Sequence, residues 1–143
     1  MVAKDSLGAT GTPFTVPIEQ GKIREYAAAI GSTHPEYVGV EDPVIPAHFL
    51  TTTFFWEGDT GNPWDQVEMS QQRGMHAEQE YVFHGEPPRA GTKLTATSRI
   101  DTIYEKTSRS GSTLTFVEMV TDFRDGDGVL VAEAKMTAVE TGE

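Results

Sequence analysis

The fifteen residues IREYAAAIGSTHPEY, positions 23–37, decide how the chain is read. Ile23, Tyr26, Ala27 and Ile30 recur at the three- and four-residue spacing of one helical face, so residues 18–30 are read as an amphipathic helix. Pro17 is tolerated in its first turn, where the missing N–H has no helical partner anyway. Gly31 suits the left-handed residue that ends a helix. A helix full of small apolar side chains therefore runs straight into Ser-Thr-His-Pro-Glu-Tyr, a loop rich in hydroxyls with an imidazole among them.

Downstream, PVIPAHFLTTTFFW at 43–56 is apolar and rich in β-branched and aromatic residues, a pattern that fits a buried strand and a short buried helix equally. Residues 57–74 carry turn formers without periodicity and are read as a long loop. The texture then changes to period-two alternation, first over His76–His84 and again after the Pro87, Pro88, Gly91 break, where Leu94, Ala96, Ser98 and Ile100 share a face. Ile103 has the opposite parity, which predicts a β-bulge near Asp101 and Thr102. Ser108 to Ser112 reads as a turn. Val117, Met119 and Phe123 face one side of the next strand, and Leu130, Ala132, Ala134, Met136 and Ala138 one side of the last, with Asp125–Gly128 turning between them. A helix followed by long antiparallel strands is an α+β layout, a curved sheet packed on helical material. No repeat or composition shift marks a boundary, so one domain is expected over 1–143.

Composition narrows the chemistry. There is no cysteine, which removes disulfides, thiolate metal sites and cysteine nucleophiles, and fits a reducing, cytoplasmic location. A net charge of −11 opposes nucleic acid and anionic membrane as partners, and no apolar run has the length of a leader or a membrane span. No glycine loop has the spacing that cradles phosphates, and no histidine pair sits at helical spacing around a glutamate, so neither a nucleotide cofactor nor a metal is expected.

The loop after the first helix resembles that of the MaoC-like (R)-specific enoyl hydratases and (3R)-hydroxyacyl dehydratases, whose helix ends in G-D-x-N-P-x-H. Gly31 and Pro35 match, but Ser32 stands at the family's Asp, His34 at its Asn and Tyr37 at its His. Three further runs occur in the family's order: Ile45-Pro-Ala-His-Phe49, His76-Ala-Glu-Gln-Glu-Tyr81, and Arg89-Ala-Gly-Thr-Lys-Leu94 continuing to Ile100-Asp-Thr-Ile-Tyr-Glu-Lys106. Together the resemblance covers about Phe14 to Val139 and is nearest to the family's non-catalytic halves and separate non-catalytic subunits. It implies a hot-dog fold forming half of a double hot dog, with a catalytic MaoC-like hot-dog subunit as partner in a heterodimer or heterotetramer.

Hydration of an enoyl thioester needs a group that activates water and a donor of a proton to the α-carbon, and serine and tyrosine hydroxyls are poor substitutes for Asp and His. The resemblance therefore implies no catalytic residue at Ser32 or Tyr37, and an acyl thioester of coenzyme A or acyl carrier protein as substrate. Tyr37, His48, Phe49 and His76 are its candidate substrate contacts. Phe49, Phe54 and Phe55 with Trp56 are expected in the core first and in an acyl tunnel second. Glu78 and Glu80 share one face of their strand, read as a solvated face rather than an acid/base pair. Apolar faces and a free sheet edge on the strands 93–106 and 113–123 predict association. Two rivals stand beside this reading: a homodimeric, non-enzymatic acyl-thioester-binding or assembly protein, and a hot-dog thioesterase, which would want a carboxylate where Ser32 stands.

Overall fold

Five antiparallel strands carry the architecture of the computed structural model, which describes residues 1–58 and 61–142. They are β1 (Phe14–Pro17), β2 (Gly74–Phe83), β3 (Lys93–Thr107), β4 (Thr113–Arg124) and β5 (Leu130–Thr141), in the spatial order β1-β3-β4-β5-β2. Registers place side chains in rows across the concave face: Ala96, Phe123, Ala132 and Phe83; then Ser98, Thr121, Ala134 and Tyr81; then Ile100, Met119, Met136 and Gln79. Against the first row lies α1 (Gln20–Ala29), whose Ile23 and Ala27 are fully buried with Val16, Phe49, Leu94 and Phe123. The result is the curved sheet wrapped on a helix that defines a hot dog. Ser98, Thr121 and Ala134 in the second row are small, so the concave floor dips there beside Tyr81 and leaves space.

The β3 bulge falls where the parity change predicts it, between Ile100 and Thr102. A second bulge, between His76 and Glu78, lets His76 and Gln79 face the same side although three residues apart. The helix begins at Gln20 rather than at residue 18, because Pro17 ends β1, a four-residue strand with no alternation long enough to be read. A proline is admissible there because β1 is an edge strand.

The ambiguous 43–56 segment resolves into an isolated bridge from Val44 to Arg89, then a 3₁₀ helix over Phe49–Thr53 and α3 (Phe54–Glu57). Thr52 and Thr53 are buried there and bond back to the carbonyls of Phe49 and Leu50 at 2.9 and 2.8 Å. The expected loop at 57–74 contains a 3₁₀ turn at Pro63–Gln66, capped by Asn62 Oδ1 accepting from the Trp64 N–H at 2.8 Å; its positions 59 and 60 lie outside the described residues. The expectation of a free edge on 93–106 or 113–123 is met in part: β1 pairs only with Lys93–Ala96 and the Thr10–Arg99 bridge reaches little further, so the outer half of β3 is an open edge, while β4 has none. β4 is flanked on both sides and β3 is covered over its first part by β1, whereas β2, paired only to β5, leaves its outer edge open along its whole length. No helix among the described residues is long and apolar enough to cross a membrane.

Candidate functional site

α1 ends as the glycine predicts: Gly31 has φ +68°, and its N–H and that of Ser32 return to Ala28 and Ala27 carbonyls. The loop beyond is held by its own polar atoms. Ser32 Oγ accepts from the His34 N–H at 3.3 Å, His34 Nδ1 accepts from the Glu36 N–H at 3.3 Å, and α2 (Pro35–Val38) starts on that cap. Tyr37 lies 4.9 Å from the His34 ring, centroid to centroid, and packs half-buried on the core. Ser32, His34 and Tyr37 are thus caps and packing, and none of the three lines the cavities described next.

The space lies instead between the 3₁₀ helix at 49–53, α3 and β2. Its first part, a cavity of about 660 Å³, is lined by Tyr26, His48, Thr51, His76, Gln79 and Tyr81 among others. The Tyr26 hydroxyl lies 2.5 Å from His48 Nδ1 and 3.2 Å from the His48 carbonyl, which it reaches as a donor. Phe49 is 0 % exposed and stands edge-on to Tyr26 at 5.4 Å, so it buttresses that ring rather than presenting a surface. Burial raises the Tyr26 hydroxyl above its ordinary value, with Tyr81 adding to the effect. Burial also raises Tyr81, against a hydrogen bond with Thr51 that opposes it. Both phenols therefore stay protonated at neutral pH, and the cavity offers neutral hydrogen-bonding groups suited to a polar, uncharged carbonyl.

His76 donates Nε2–H to the Glu78 carbonyl at 2.9 Å, a bond that spans the β2 bulge and fixes the ring in the cavity wall. A second cavity, about 270 Å³, continues over the dip in the sheet floor past Ser98, Thr121 and Ala134. There Ser98 and Thr121 hydroxyls satisfy each other at 2.8 Å. Glu57 lines it too, bonded by Asn62 Nδ2 at 3.0 Å; burial raises its carboxyl, Asn62 opposes that, and Asp65 adds to it. His48 and His76 are thus brought together in one space, Phe49 behind it and Tyr37 outside it. Tyr26, Tyr81 and Glu57 were missed in the sequence. Tyr26 reads there as one more member of the helix's apolar stripe, and Glu57 as the start of a loop.

Phe54 and Phe55 depart from the core expectation. They are 61 % and 68 % exposed, their rings 4.1 Å apart and tilted by 33°; Phe54 lines the second cavity, and it is Phe49 and Trp56 that pack in the core. Glu78 and Glu80 lie on the opposite face from Gln79 and Tyr81, where their charges act on Lys135, itself 3.4 Å from Glu118. Among the described residues no three His, Asp or Glu side chains converge as a metal site requires.

A hot-dog sheet with its cavity between the helical segments is the fold that this chain shares with solved hydratases and dehydratases. Residues 6–134 match the family model of the FAS1-like dehydratase domain region, and the chain belongs to that family. It is 33 % identical to a UPF0336 protein of Streptomyces griseus over 85 % of this chain and 84 % of that one. Among solved structures it is similar to a chain of the C-terminally truncated HadBC complex, a (3R)-hydroxyacyl-ACP dehydratase of Mycobacterium tuberculosis, with TM-score 0.70, 25 % identity and coverage of 94 % and 98 % of the two chains. The ChsH1–ChsH2 complex of the same organism shares the fold, with TM-score 0.68 at 17 % identity over 96 % of this chain and 85 % of that one.

Proposed function

We propose that this chain is the non-catalytic, substrate-channel subunit of a heteromeric (R)-specific enoyl-thioester hydratase / (3R)-hydroxyacyl-thioester dehydratase. One observation carries the reading: the positions of the family's acid and base are hydroxyl side chains that lie away from the cavity, while the cavity itself runs beside a strand whose outer edge is unpaired. A catalytic hot-dog chain added along β2 would extend the sheet and bring its Asp and His to the cavity's open side. In the hydration direction those groups take a proton from water, whose hydroxyl bonds to C3 of the trans-2-enoyl thioester, and return a proton to C2. Tyr26, His48 and Tyr81 orient the acyl group and its carbonyl. The similarity to HadBC, a complex of hot-dog subunits, supports such a pairing. A cytoplasmic location follows from the substrate class proposed.

The test is co-expression with a hot-dog chain that carries an intact G-D-x-N-P-x-H loop, followed by enoyl-thioester hydration assays. The chain alone is expected at background rate and the complex well above it. Ser32→Ala and Tyr37→Phe should change kcat by less than about threefold, whereas loss of the partner's Asp or His should cost on the order of a hundredfold or more. Robust turnover by the isolated chain would overturn the proposal and direct attention to Glu57 and His76, which share the middle cavity. A stable homodimer that binds acyl thioesters but pairs with no catalytic chain would establish the non-enzymatic rival.

A further inference from the structure

Tyr26 and His48 engage twice, and the two contacts together fix which ring nitrogen of His48 carries the proton. The Tyr26 hydroxyl has a single proton, which goes to the His48 carbonyl at 3.2 Å, so its oxygen accepts from His48 Nδ1–H at 2.5 Å. That tautomer leaves Nε2, the outer tip of the ring, as a bare lone pair. His48 is exposed and lines the cavity of about 660 Å³, so water reaches it. We propose that His48 Nε2 is a general base and that this chain by itself hydrolyses acyl thioesters, with Tyr81 stabilising the oxyanion and Tyr26 as the positioning residue. The substrate class is that of the hydratase reading, but neither a partner nor a double bond is needed.

Tyr81 lines the same cavity, near enough for its charge to act on the Tyr26 hydroxyl. Its hydrogen bond with Thr51 works to lower the phenol, which is the effect of a bond donated to the phenol oxygen. Thr51 Oγ–H therefore points at Tyr81, and the phenol's own proton, kept on by burial at neutral pH, is free to donate. His76 lines the cavity too but is tied the other way round. Its Nε2–H is spent on the Glu78 carbonyl at 2.9 Å, and the nitrogen left over, Nδ1, sits beside its own main chain. Gln79 likewise spends its amide N–H on the Lys135 carbonyl at 3.1 Å. Among the described residues the lining holds no Asp, Glu, Lys or Arg, so the groups that face His48 are the two phenols, Thr51, Gln79 and His76.

Hydrolysis asks less of a site than hydration does. Hydration needs a water-activating group at C3 and a proton donor at C2, whereas hydrolysis needs one base for water and one donor for the carbonyl oxygen, which is the pair present. The water oxygen bonds to the thioester carbonyl carbon while its proton passes to His48 Nε2, and the carbonyl oxygen takes up the electron pair against Tyr81 O–H. Collapse breaks the C–S bond, and the imidazolium returns the proton to the leaving thiolate. A carboxylic acid and a free thiol result. The base is thus an imidazole, not the carboxylate that Ser32 replaces.

The experiment uses the full-length chain alone and butyryl-CoA, a saturated thioester that cannot be hydrated. Released thiol is read with a chromogenic disulfide, and a chain without cysteine adds no background of its own. Release should exceed that in buffer by at least about a hundredfold, and His48→Asn, which keeps an N–H for Tyr26 but removes the base, should lower kcat by about a hundredfold. Tyr81→Phe should cost a factor of about a hundred as well. In the wild type kcat should rise with pH along one ionisation that His48→Asn abolishes. Nitrogen-15 spectra of the histidines should show His48 with its proton on Nδ1, and on Nε2 once Tyr26→Phe releases the ring, a change that a packing role for Tyr26 would not produce. Release at the buffer rate, a pH dependence that survives His48→Asn, or a wild-type His48 protonated on Nε2 overturns the proposal. Should His48→Asn not fold, the wild-type rate and spectrum decide. Failure here leaves the heteromeric hydratase reading standing, because hydration of an enoyl thioester by the complex is a separate assay.

Discussion

Glu140 is 4 % exposed, and a buried carboxylate is stable only where its charge is answered. Burial alone would raise its carboxyl, but the Ser70 N–H at 2.6 Å, the N-terminal ammonium at 3.7 Å and Arg73 at 3.7 Å outweigh that and hold it below the ordinary carboxylate range. A depressed folded-state value means that the ionised form stabilises the fold above the unfolded-state value and that this contribution is lost as pH falls through the folded one. Glu140→Gln should therefore cost about 1–3 kcal/mol at neutral pH, with the deficit shrinking as the wild type is acidified through the carboxylate range. Urea melts of both proteins across that range check it, and a deficit constant with pH would show that the charge is not what matters. Tyr26 permits a kinetic test on the same scale. In the catalytic complex Tyr26→Phe removes the hydroxyl that engages His48, and should raise KM a few-fold to tenfold with kcat nearly unchanged, because the interaction orients the bound acyl group in ground and transition state alike. A kcat loss of two orders of magnitude would place Tyr26 in the chemistry.

Single elements show where sequence pattern carries information and where it does not. The left-handed Gly31 that closes α1 is legible because only glycine tolerates φ +68° cheaply, and open space surrounds its missing Cβ, so Gly31→Ala tests strain without a clash. A loss of about 1–2 kcal/mol is expected, seen as a lower urea midpoint at unchanged m-value; no loss would mean that the turn relaxes. The bulge in β3 is equally legible, since Ile103 on the wrong parity leaves no other way to keep both halves of a long strand facing the core. The 43–56 run is not: a five-residue 3₁₀ turn joined to a four-residue helix is shorter than one helical repeat pattern, and its exposed Phe54 and Phe55 carry the same letters as core residues. β1 escapes for the same reason of length. The candidate site divides likewise. His48 and His76 stand out as rare residues beside apolar runs, whereas Tyr26 belongs to a helix stripe whose inward neighbours Ile23 and Ala27 are plain core, and only the fold shows that its hydroxyl end reaches the cavity.

At the scale of the whole molecule the strand order was hidden in the sequence, because β2 lies fifth in the sheet although second in the chain, and alternation says nothing about neighbours. The consequence is an edge. β2 presents ten residues of which most are exposed, including Met75 and Val82, and it is blunted only by its bulge and by Glu78 and Glu80 on the outer face. Charge offers no counterpart elsewhere on β3: Arg99 is held by Asp101 at 2.9 Å and Asp122 at 2.7 Å, and Lys106 lies over the Tyr104 and Phe116 rings at the far end of the strand. Association is therefore expected along β2 rather than through charge, and it should depend weakly on salt. Sedimentation at micromolar concentration should show a dimer or larger species, and Ala77→Lys with Val82→Lys, which place unpaired charges along the edge, should weaken association at least about tenfold. Hydrogen exchange localises the contact: outward-facing β2 amides should exchange fast in a dissociated chain and slowly once paired, because pairing gives each a carbonyl partner. Protection appearing on the outer half of β3 with β2 still open would show that the chain pairs through its other edge, and the groove beside β2 would then face solvent instead of a catalytic subunit.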